Sequence, residues 1–267
     1  MENRIVTVIS IIVIAGLLGG AYYYQTHRDD TPVSPPKTEA PVVEAPAKEP
    51  EIKYPLPASE TENTKPLPVL DDSDAAVQQA LGELIDKDSV KRFFEANTLV
   101  RRVVVTVDNL PRKKIPQQYS LTQPLPGKYI IAGKGDTLAM NAANIQRYTL
   151  YIRLVEAIDT KKLAAAYRRF YPLFQEEYRN IGSSKQYFND RVVEAIDDLL
   201  AAPELKGAIK LVQPKVFYQF ADPALEDLSA GQKIMLRMGP ENAARMKAKL
   251  KDIRRELTSG GQPKEVR

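Results

Sequence analysis

From Ile5 to Tyr24 the chain runs for 20 residues without a charged side chain, and no other feature constrains its architecture as strongly. Twenty helical residues at about 1.5 Å each span roughly 30 Å, the thickness of a bilayer's hydrocarbon core. Tyr22, Tyr23 and Tyr24 close the run, where aromatic rings favour the headgroup boundary. The run predicts a transmembrane helix, with residues 1–30 as anchor and juxtamembrane stretch and the lipid bilayer as the partner of residues 5–24. The competing reading is a cleaved secretory signal, with Arg4 as its charged start and Gly19-Gly20-Ala21 as its small-residue site. Against it, the apolar run exceeds the usual roughly 7–15 residues. Arg4 on one side faces Arg28, Asp29 and Asp30 on the other, so charge bias is small, and large following domains translocate largely regardless of charge. The expected topology is single-pass, with the rest of the chain outside the cytoplasm.

Residues 31–68 hold ten of the twenty prolines and almost no large apolar side chains. Such a stretch cannot bury enough surface to offset its ordering entropy, and it predicts a disordered, Pro-rich linker. In polyproline II geometry it would reach on the order of 120 Å at most. The last residues, 259–267, read as a flexible tail.

Between them, residues 69–258 carry helical periodicity and predict one mainly α domain with minor β hairpin and extended segments. The acidic turn Asp71-Asp72-Ser73-Asp74 suits the start of a helix bearing Val77, Leu81, Leu84 and Ile85. Val90, Phe93, Val100, Val104 and Val107 share one face of a second helix ending near Pro111; the run Val103 to Val107 could instead form a strand, but the helical period holds on both sides of it. Residues 111–138 read as a long irregular connection, in which residues 129–132 and 136–138 flank Gly133-Lys134-Gly135 as a short hairpin. Three helices follow: residues 141–158; a second capped by Thr160 and ending at Gly182, with Pro172 as a kink; and a third with Asn189 as N-cap and a Phe188–Val193 staple. Residues 209–220 read as extended. Ser229 and Gln232 form a capping box, and Pro240 opens the last helix, 240–258.

Composition excludes several chemistries. There is no cysteine, and the only histidine is His27, which removes disulfides, thiolate sites, a Ser-His-Asp triad and any multi-histidine metal site within one chain. Residues 69–267 carry a net charge near +7 and residues 1–68 near −3. The excess is too mild to point to nucleic acid. Gly127 and Gly133 do not fit a phosphate loop, because Gly135 follows Lys134 where Ser or Thr is needed, and Asp86-Lys87-Asp88 fails as a calcium loop at Val90. No cofactor or metal is therefore expected.

Carboxylates are the remaining acid–base groups. Glu176 with Glu177, Asp190 with Glu194, and Asp197 with Asp198 are the pairs available to a carboxylate-dependent hydrolase. Tyr187, Asn189 and Arg191 could line a polar recognition patch beside the staple. On the last helix Met246, Leu250, Ile253 and Leu257 form an apolar stripe. Lys247, Lys251, Arg254 and Arg255 lie along its flank with little intrahelical acid to balance them, a candidate surface for an anionic partner such as lipid headgroups.

The strings Val107-Asp108-Asn109-Leu110-Pro111, Tyr171-Pro172-Leu173-Phe174-Gln175, Phe188-Asn189-Asp190-Arg191 and Leu228-Ser229-Ala230-Gly231-Gln232-Lys233, in this order, resemble the bacterial domain-of-unknown-function 3014 family over most of residues 69–257. The resemblance implies a bacterial envelope protein with one N-terminal inner (cytoplasmic) membrane segment and carries over no catalytic or binding residue. The expectation is a membrane-tethered envelope module that binds or positions a protein or cell-wall partner, with a hydrolase acting on envelope polymer as the alternative.

Overall fold

The computed structural model describes residues 51–56, 66–125, 127–183 and 186–259. The expected anchor, His27, most of the linker and nearly all of the tail lie outside them. Among the described residues no helix is long and apolar enough to cross a membrane. The fold is mainly helical: α1 (Asp74–Leu84), α2 (Lys87–Phe93), α3 (Leu99–Asn109), α4 (Ala143–Ala157), α5 (Thr160–Asn180), α6 (Phe188–Leu200), α7 (Pro223–Glu226), α8 (Ala230–Arg237) and α9 (Pro240–Thr258).

The valine-rich α3 is buried along most of its length, and α5 lays Leu163, Tyr167, Phe170 and Phe174 into the same core. Helix α9 packs across α4, α5 and α6 through the expected stripe Met246, Leu250, Ile253 and Leu257, each about 1% exposed or less. Its spacing of 4, 3 and 4 residues gives one continuous apolar face, which is why it serves three neighbours at once.

The face expected to run unbroken from Val90 to Val107 is split. Residues 94–98 leave the helix, Glu95 N–H donates to the Leu121 carbonyl, and Thr98 sits at φ 54°, a left-handed backbone that a β-branched residue rarely adopts. The Asp74 carboxylate accounts for the break. It accepts the Thr98 and Leu99 N–H groups at 2.6 and 2.8 Å, so the acid that opens α1, as expected, also caps α3 across space. Two expected caps move. Asp159, not Thr160, takes the Lys162 N–H at 2.8 Å to start α5. Asn189 lies inside α6, which starts at Phe188 without a side-chain cap of its own. Helix α5 continues through Pro172 as one element.

The β structure is two small hairpins. β1 (Ile131–Ala132) pairs with β2 (Ala139–Met140), the return strand falling just beyond the expected 136–138 because Gly135–Thr137 coil into a 3₁₀ turn. β3 (Leu211–Val212) pairs with β4 (Gln219–Phe220). Met140 N–H donates to Ile209 and Leu211 N–H to Leu138, joining the hairpins over a second apolar cluster of Met140, Ile209, Leu211, Phe220 and Leu236. Gly239 turns the chain between α8 and α9 at φ 82°, where a Cβ would stand 2.7 Å from the Ile145 side chain.

Candidate functional site

The N-terminus of α6 is assembled by side chains from elsewhere. A helix leaves its first N–H groups without partners. Here the Gln175 Oε1 accepts Phe188 N–H at 2.8 Å, and the Tyr171 hydroxyl accepts Asn189 N–H at 3.3 Å while donating to Gln175 at 2.7 Å. Burial, with Tyr187 adding to it, pushes the Tyr171 phenol well above its ordinary range, so it stays protonated and able to donate.

These contacts free Asp190 and Asn189 to face outward, onto residues 51–56. Both oxygens of the Asp190 carboxylate are used: Lys53 N–H donates to one at 3.0 Å and Tyr54 N–H to the other at 2.8 Å. The Asn189 amide donates to the Tyr54 carbonyl at 2.8 Å, and the Tyr187 hydroxyl accepts Leu56 N–H at 3.1 Å. The Arg254 guanidinium lies over the Tyr54 ring, 5.8 Å from its centroid, and is itself held by Asp197 at 2.6 and 3.0 Å. Leu56 packs against the main core. Six residues of the stretch read as linker thus form a strap across the ends of α6 and α9, gripped mainly by their backbone.

The four strings that carried the family resemblance converge behind this groove. Gln175 and Tyr171 position Phe188 and Asn189, as above. Arg191 reaches back to α3, its Nε 3.1 Å from Asp108 Oδ1 and its Nη2 bonded to the Asp108 carbonyl. Arg112 adds a second contact to the same carboxylate at 2.7 Å. Gly231 N–H donates to the Leu110 carbonyl at 2.9 Å and Ala230 N–H to Arg112. Gly231 permits this approach, since a Cβ there would meet Leu199 at 2.6 Å. The expected capping box is half formed: Ser229 Oγ accepts Gln232 N–H at 3.0 Å, but the Gln232 amide turns to the Asp198 carbonyl.

The carboxylate pairs are engaged separately. Asp190 holds the strap and Glu194 pairs with Arg191 at 2.7 Å. Asp197 holds Arg254, and Asp198 accepts the Ser229 hydroxyl at 2.6 Å with burial raising its acid above the usual range. Glu177 faces Arg101 at 3.5 Å and Glu176 is exposed. Among the described residues no group of three or more His, Asp or Glu side chains could hold a metal ion. On the basic flank of α9, Lys247 is partnered from other elements by the Ala202 carbonyl and Glu204 and Arg254 by Asp197, while Arg255 pairs with Asp252 of the same helix at 2.8 Å. Lys251 is exposed.

Of the recognition patch read from sequence, Tyr187 and Asn189 bind the strap directly, and Arg191 works behind it on Asp108. The strap itself was missed. Its trace in the sequence is slight: Tyr54 is the only aromatic residue in 31–68, flanked by Ile52 and Leu56.

The fold and groove define a mainly helical domain that holds a short segment of its own chain by the backbone. A family model described as "Protein of unknown function (DUF3014)" matches residues 99–254, and the chain belongs to this family. No curated protein and no solved structure matches it.

Proposed function

We propose that the chain is a non-catalytic, membrane-tethered module of the bacterial envelope whose domain recognises a short peptide segment by its backbone and, through it, holds a partner or its own tether in place. One observation carries this reading. A single carboxylate takes two successive backbone N–H groups, of Lys53 and Tyr54, while the neighbouring amide donates to the Tyr54 carbonyl that follows them, so the contact is made to main chain at a bend and not to side chains. Charge-assisted hydrogen bonds contribute about 1.5–3 kcal/mol each and neutral ones about 0.5–1.5 kcal/mol. Ordering the backbone costs about 1–2 kcal/mol per residue. Over six residues the two sides are of similar size, so docking is reversible and a competing segment can exchange with the strap.

Asp190→Ala is expected to release the strap. In the full-length protein, trypsin should cut the Lys53–Tyr54 bond on the order of tenfold faster than in the wild type, while the urea midpoint of the domain stays put. Equal cleavage rates would refute the groove as a binding site. Placement is tested separately: a unique cysteine at Ser59 should react with a membrane-impermeant thiol reagent in intact spheroplasts, and labelling only after lysis would put the domain in the cytoplasm.

A further inference from the structure

Between the helical core and the hairpin cluster lies a cleft of about 480 Å³, within the range of small-molecule sites. Its walls are mostly Ala, Gly, Pro, Met, Ile and Leu residues from β1, β2, α4, the α6–β3 connection, α8 and α9, with Ala139, Ile145, Ile209 and Ala243 among them and Asn141 as an uncharged polar member. Among the described residues on that wall, only Glu204 and Lys247 carry charge. Lys247 projects from α9 with its side chain 14% exposed, and two of its three N–H donors are occupied, by the Ala202 carbonyl at 2.7 Å and Glu204 at 3.4 Å. The first contact fixes the ammonium. The second is long, and the Glu204 side chain is 76% exposed, so water screens it and an acidic ligand can displace it at little cost.

We propose that this cleft binds a single-chain anionic amphiphile, a free fatty acid, with its hydrocarbon chain against the small apolar walls and its carboxylate on Lys247. Small side chains on several elements leave a mostly apolar space, and one anchored cation on its wall sets the direction of the ligand. The cleft shares no residue with the strap groove, so the two readings stand or fall separately.

The test uses the full-length chain in membranes and a diazirine-bearing palmitic acid, with labelled peptides mapped by sequencing. Saturable labelling within residues 202–209 or 240–247 is expected, competed by excess palmitate and far less by hexadecanol. Filling the space with Ala243→Leu, or with Ala139→Leu on a different element, should lower that labelling about tenfold while helix content is unchanged. Lys247→Met should bring palmitate and hexadecanol to parity as competitors. Labelling confined to the apolar segment at residues 5–24, unsaturable labelling in the cleft, equal competition by acid and alcohol in the wild type, or full labelling of both folded filling variants would overturn the proposal.

Discussion

Replacing Asp108 with alanine should destabilise the domain by about 3–5 kcal/mol, the range for breaking a buried ion pair. Asp108 is 6% exposed at the C-terminal end of α3 and gathers Arg191 and Arg112 onto one carboxylate. Without it, Arg191 retains Glu194 and the backbone carbonyl of residue 108 but loses its buried counter-charge. For a domain of this size the loss corresponds to a fall in melting temperature on the order of 10 °C. Asp108→Asn, which keeps an acceptor of the same shape, should lose less. A melting temperature unchanged in Asp108→Ala would show that the convergence of α3 and α6 is held by packing alone.

Phe188→Ala should cost a similar amount, about 3–5 kcal/mol, through a different term. The ring is fully buried, 5.2 Å from Tyr178 and 6.0 Å from Phe174 between centroids, and its removal leaves a cavity that these tilted neighbours cannot close. Because Phe188 is the first residue of α6, the same substitution should also loosen Asn189 and Asp190. Trypsin cleavage at Lys53 should therefore rise together with the loss of stability. In Asp190→Ala the two readouts separate, with cleavage rising alone. Equilibrium urea unfolding and timed proteolysis on the same samples distinguish the cases.

What the sequence revealed follows from the range of the interactions concerned. The stripe on α9 and the apolar period of α3 are local repeats of one helix, and both were legible. Asn189 looked like a cap because Asn often is one. It is instead a buried ligand of the strap, and the N–H groups of α6 are met by Tyr171 and Gln175 from another helix. Asp74 reads as the start of its own helix and is, but its carboxylate also caps one that begins 25 residues later, which no local pattern shows. The strap is the extreme case: its partners lie more than 130 residues away, and nothing in a proline-rich stretch marks which backbone groups a distant carboxylate will take. The acids that pair with Lys247 and Arg254 were out of reach of the sequence for the same reason, since Glu204 and Asp197 sit on other elements.

The strap also places a second site on helix α9. Through Leu56 the chain packs on the main core eleven residues ahead of Leu67, the next described residue to do so. The strap grips one end of α9, near Arg254 and Leu257, whereas the apolar cleft opens beside Pro240, Ala243 and Lys247 at the other. At about 1.5 Å per residue, some 16 Å of rigid helix separates Ala243 from Arg254. Helix α9 therefore acts as a strut that keeps the strap groove and the apolar cleft at a fixed separation, so that a segment seated in the one cannot reach across into the other.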